Sequence, residues 1–234
     1  MKSNNYQNSR FLHAIRCLCY AVTFFSLCVF GFFLTACKKQ VDYFQYVSEL
    51  RSNIFLAQTE SFSLRIYSVT KETPYVADGV PKELSTRTEV YLTAPSGDKT
   101  CEIFFQANGK EYGGEMSYDN VKAEYYYSCS LNTSSLSQIT CKIIYEESEM
   151  QVNASSVLNA NTLSAKDVLN VLQTKESELF TAMTDKYGFA GEIYLRLIYE
   201  DAPYYYVGLI ERNGRINAFL INAQTGKILA KRQS

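Results

Sequence analysis

The sequence predicts an α+β protein: an N-terminal helix, an antiparallel β-sandwich or partly closed barrel, then a helix followed by an antiparallel β-meander. Three observations carry that expectation. Apolar residues recur at helical spacing over 41–58, at Tyr43, Val47, Leu50, Ile54 and Ala57. From Ser61 to about residue 150 the period changes to two, with turn signals roughly every ten residues. After residue 162 a helical pattern returns and gives way to short alternating runs.

The β region begins with Phe62, Leu64 and Ile66 alternating with Ser61, Ser63 and Arg65. ELSTRTEVYLTA and CEIFFQA follow, and Asn108-Gly109 is a hairpin turn because both residues tolerate positive φ. EYGGEMSY, KAEYYYSCSL and SQITCKIIYE bring the count to about six strands, on the turn-and-alternation rule. Alternation is lost over 146–162, so residues 151–162 are expected to connect two units, 61–150 and 163–234. Ser164 with Asp167 opens the second helix, whose buried stripe is Val168, Leu172, Leu179 and Met183. EIYLRLIYE, YYYVGLIE, INAFLIN and ILAKR form the meander, with a second Asn-Gly turn at Asn213-Gly214.

The start of the chain indicates an address. Residues 1–16 hold Lys2, Arg10 and Arg16 and no acid, and residues 17–36 carry no charge. That is the layout of a secretory leader, although the apolar run is also long enough to span a bilayer uncut. Leu34-Thr35-Ala36-Cys37 resembles the box of bacterial lipoprotein signals, an aliphatic residue and two small ones before a cysteine. The resemblance implies removal of residues 1–36, diacylglycerol on the Cys37 sulfur, and an extracytoplasmic domain held to the membrane through that lipid. Residues 37–60 would then be the anchor and a membrane-proximal helix.

Composition narrows the chemistry. Three of the 23 bases and none of the 24 acids lie in the leader, leaving 20 bases against 24 acids, a formal charge of −4. No clustered basic run marks a nucleic-acid partner. The single histidine is His13, so residues 37–234 contain none. Serine and cysteine hydrolases that need an imidazole base are excluded there, as are His-ligated metals. Carboxylate pairs, Lys or Tyr bases and Ser-Lys dyads stay open. No motif calls for a cofactor, and no D-x-D-x-D-G spacing or CxxC suggests a metal.

Cys101, Cys129 and Cys141 all fall on the apolar side of their strands by alternation, as buried thiols. The alternative is a Cys129–Cys141 disulfide across a hairpin centred near Ser135. Tyr125-Tyr126-Tyr127 and Tyr204-Tyr205-Tyr206 put rings on both faces of their strands, and Tyr126 and Tyr205 are the candidate exposed platforms for a protein, peptide or glycan. Ordinary cross-strand packing is the competing explanation. Glu146, Glu147 and Glu149 read as a solvated loop, and Glu192, Glu200, Asp201 and Glu211 as the carboxylates available to a hydrolase.

The turn Leu220-Ile221-Asn222-Ala223-Gln224-Thr225-Gly226-Lys227-Ile228-Leu229 resembles the closing motif of PepSY-type domains, with Asn222 where Asp is usual. That resemblance covers at most the last seventy residues and implies a non-catalytic, regulatory role, with no active-site residue to carry over. The expectation is an envelope lipoprotein working as a binding or regulatory module; the alternative is a carboxylate-dependent envelope hydrolase.

Overall fold

The computed structural model describes residues 41–234 apart from Tyr75, Ala77 and Pro81. Cys37 and the expected leader, residues 1–36, lie outside the described residues. Among those described, no helix is long and apolar enough to cross a membrane.

Most of the chain is β. After a 3-10 turn at Tyr43–Tyr46 come β1 (Val47–Gln58), β2 (Ser63–Glu72), β3 (Leu84–Thr93), β4 (Cys101–Ala107), β5 (Lys110–Glu115), β6 (Ser117–Asp119), β7 (Glu124–Cys129), β8 (Gln138–Tyr145) and β9 (Ser148–Ser156). These nine pair in the order β6-β7-β3-β2-β1-β9-β8-β4-β5. The two end strands are consecutive in sequence, and the Met116 N–H between them donates to the Cys101 carbonyl at 2.8 Å, so the sheet curls into a nearly closed barrel. Inward residues of every long strand fill it, among them Phe55, Leu64, Ile66, Val90, Leu92, Ile103, Phe105, Tyr125, Ile139 and Ile143. The interior is therefore a packed core of side chains.

Helices α1 (Ala165–Lys175) and α2 (Ser177–Ala182) follow, then a two-stranded β10 (Thr184–Asp185) and β11 (Gly188–Phe189). The meander β12 (Gly191–Tyr199), β13 (Pro203–Glu211), β14 (Ile216–Asn222) and β15 (Ile228–Gln233) completes the chain. The expected N-cap is present: Ser164 Oγ accepts from the Asp167 N–H at 3.1 Å. The single expected helix breaks at Glu176, where φ is −114° and ψ 35°, which moves the buried position from Leu179 to Phe180.

Two expectations about organisation need correction. The N-terminal helix is strand β1. Its burial follows no alternation, because β1 lies between partners and is covered on both faces, and a bulge between Arg51 and Asn53 resets its parity. A strand so placed imitates helical spacing. The supposed connection is largely strand β9, whose Val152 and Ala154 point inward between exposed polar residues. β1 also pairs in parallel with β12, so barrel and meander share one sheet, and residues 42–234 form one compact unit.

The Asn222 turn is built as its sequence suggests. Asn222 Oδ1 accepts from the Gln224 N–H at 3.0 Å, the Thr225 N–H at 2.9 Å and the Thr225 hydroxyl at 3.0 Å. Gly226 has φ +65°, and an added Cβ would lie 3.2 Å from Val171 of α1. Replacing Asn222→Ala removes all three bonds and should lower stability by about 1–2 kcal/mol, while Asn222→Asp should keep most of it. Denaturant midpoints of the two variants measure this.

Candidate functional site

The outer face of the sheet holds the clearest concentration of functional chemistry. Directly paired residues share a face, so the register sets its rows. One row crosses five strands: Tyr206 on β13, Arg196 on β12, Arg51 on β1, Val69 on β2 and Arg87 on β3. Alongside it runs a tyrosine ladder, one ring per strand. Tyr67 on β2 and Tyr91 on β3 have centroids 5.4 Å apart, and Tyr91 and Tyr126 on β7 are 5.1 Å apart. A second pair, Tyr194 and Tyr206, stacks at 5.6 Å on the meander side.

Cations lie on these rings. The Arg51 guanidinium is 4.2 Å from the Tyr67 centroid and that of Arg196 is 4.6 Å from Tyr194. The face also carries three ion pairs. Glu49 binds Arg196, Glu89 binds Lys71 at 2.7 Å, and Glu124 binds Arg65. Glu89 additionally accepts from the Tyr91 hydroxyl at 3.1 Å. Burial, with the Glu89 charge beside it, raises the Tyr91 phenol above its ordinary value and keeps it a neutral donor.

Beyond the ladder, Tyr91, Tyr126, Tyr118, Lys122, Asp119 and Glu124 line an open depression of about 300 Å³. Tyr126 is half-buried at its wall. Tyr205, expected as an exposed ring, is instead 2% exposed, its hydroxyl donates to the Leu163 carbonyl, and it packs on the helix side of the meander. The outward rings there are Tyr204 and Tyr206, because Tyr205 shares its face with Val207 and Leu209. Sequence reasoning missed Tyr67, Tyr91, Tyr194 and the arginine row; the signal was an Arg or Tyr at alternate positions of neighbouring strands, legible only once strand order is known.

Cys101, Cys129 and Cys141 are free thiols. β7 pairs with β3 and β6 while β8 pairs with β4 and β9, so no hairpin brings Cys129 to Cys141. Burial pushes the Cys141 thiol up to about 12 and that of Cys101 up to about 11. Cys129 is half-buried rather than in the core.

The carboxylates divide. Glu146 pairs with Lys99 at 2.7 Å and Glu149 with Lys142 at 3.8 Å, both at the surface. Glu200 and Asp201 are exposed, and the Tyr204 hydroxyl donates to Asp201. Glu192 faces Ile210 across the ladder while Glu211 faces Gly191, one residue along, so the two carboxyls leave opposite faces of the sheet. Among the described residues no cluster of three metal-ligating side chains occurs.

Glu192 is fully buried under the β2–β3 loop, taking the Gly79 N–H at 3.3 Å, and its second oxygen has no partner among the described residues. Glu72 is its buried neighbour, accepting from the Lys82 N–H at 2.6 Å, also with one oxygen unmet. Burial raises the Glu192 carboxyl above its ordinary value; Glu72 and Asp78 add to the rise, while Ser48 and the Gly79 N–H oppose it.

No family model, curated protein or solved structure is significantly similar to the chain.

A carboxyl with a raised folded value holds its proton more tightly folded than unfolded. Its stabilising contribution is present in acid and is lost as pH rises above the ordinary 4.5 through the raised value. Glu192→Gln should therefore raise the melting temperature at pH 7 and change it little near pH 4. Thermal melts across that range measure the difference.

Proposed function

We propose that this chain is an extracytoplasmic lipoprotein, anchored through Cys37, whose outer sheet face acts as a non-catalytic binding module for a peptide, protein or glycan. The observation that carries the reading is the half-buried ladder Tyr67, Tyr91 and Tyr126, opening on the depression beside Tyr126. Aromatic rings offer broad contact area at low entropic cost. Their strands lie in the middle of a continuous sheet over a filled core, a rigid support for side chains that need little reordering on binding. The Asn222 turn of the meander fits the same reading, since the PepSY-type end it resembles implies a regulatory role.

Two measurements test this. Intact mass of the membrane-extracted protein should show a diacylglyceryl adduct on a chain beginning at Cys37, and Cys37→Ala should abolish processing. The Tyr91→Ala/Tyr126→Ala double variant should lose at least tenfold in retention of envelope components, with its fold preserved by circular dichroism. Unchanged retention, or turnover in a hydrolase screen that disappears in Glu192→Gln, would replace the module with the carboxylate enzyme.

A further inference from the structure

The ionic pairing on the outer face leaves a surplus. Along the rows between the meander and β7, Glu49, Glu89 and Glu124 are taken by Arg196, Lys71 and Arg65, Asp119 pairs with Lys122, and Glu192 is buried beneath the β2–β3 loop. Arg51 and Arg87 have no carboxylate partner among the described residues. They flank Val69 in one cross-strand row, and in each the Nε is buried and makes no hydrogen bond. Arg51 donates only a long bond from Nη1 to the Leu197 carbonyl, at 3.4 Å. Both arginines are half-buried rather than enclosed, and a bidentate anion is the group that best satisfies a guanidinium left without a carboxylate.

The geometry points to an acidic glycan, carrying carboxylate or phosphate, bound across β1, β2 and β3: we propose that Arg51 and Arg87 receive its anionic groups while Tyr67 and Tyr91 receive its sugar faces. This rests on the reading of the face as a binding surface and names the ligand class.

Three features favour an acidic glycan over a small anion or an acidic peptide. Arg51 and Arg87 lie two strands apart, roughly 10 Å between backbones, so one small anion does not bridge both sites and a polymer does. The strands between them are paired on both sides, so a peptide finds no free backbone donors to add to. The arginine row and the tyrosine ladder run side by side, with Arg51 lying against Tyr67, which suits a ligand whose flat apolar sugar faces lie beside its charges. The surplus of cations also stands out on a chain whose residues beyond the leader carry a formal −4.

The test is affinity electrophoresis, then titration calorimetry, of the soluble chain from residue 38, which keeps the whole compact unit. Polygalacturonate and a phosphomannan are the acidic probes. Methyl-esterified polygalacturonate and poly-L-glutamate are the controls. At least one acidic glycan should bind, weakening as salt is raised, and Arg51→Gln/Arg87→Gln should weaken it at least tenfold with the fold preserved by circular dichroism. Equal binding of the methyl ester or of poly-L-glutamate, or no binding of either acidic glycan, would overturn the proposal. Where glycans fail but Tyr91→Ala/Tyr126→Ala still loses envelope retention, the binding face stands and only its ligand class falls.

Discussion

A single buried side chain, Asn53, holds the junction from which the rest of the sheet is organised. Its Nδ2 donates to the Ser134 and Leu136 carbonyls at 3.2 and 3.1 Å, and its Oδ1 accepts from the Ile54 N–H at 2.8 Å and the Ser156 hydroxyl at 2.7 Å. All four bonds are made inside the protein, as a buried amide requires. They fix the bulge in β1, and the bulge lets one strand serve three neighbours. Residues 47–51 pair in parallel with β12, Phe55 and Leu56 pair with β9, and β2 runs along nearly the whole length. Without that branching the barrel and the meander would each end in an open edge.

The branching also makes the outer face continuous. Arg196 and Arg51 become neighbours only because β12 docks on β1, which brings the meander's tyrosines up to the barrel's ladder. Long side chains lie flat there and cover what they cross: Val69 is 2% exposed although it faces outward, between Arg51 and Arg87. Paired charges set the positions of their rings, as Glu89 does for Tyr91, while the unpaired guanidinium groups remain as donors. The same face buries Glu192 under the β2–β3 loop, so one end of the sheet is closed off and the ladder end is open.

Much of this was legible in sequence wherever one strand face is wet and the other dry. β4 and β8 alternate cleanly, and Asn108-Gly109 has the positive φ at both residues that its hairpin requires. Ser164 caps α1 and Asn222 closes its turn, because these are local contacts written in a few residues. The failures lie where burial has two sides. β1 and β13 carry apolar residues on both faces, so neither the strand character of β1 nor the inward turn of Tyr205 follows from period. β9 was hidden for the opposite reason: its inward residues, Val152 and Ala154, are too small to stand out against Glu, Gln and Asn. The arginine row depends on which strands meet, a long-range property that no local window contains.

The central claim is that β1 makes barrel and meander one cooperative sheet with a single rigid outer face. Native-state hydrogen exchange tests it most directly, by comparing amides of β12 and β13 with those of β2 and β3 as denaturant is raised. Both sets should converge on one opening free energy, with β1 amides among the slowest. Exchange of the meander through a separate, lower-energy opening, with the barrel still protected, would contradict it.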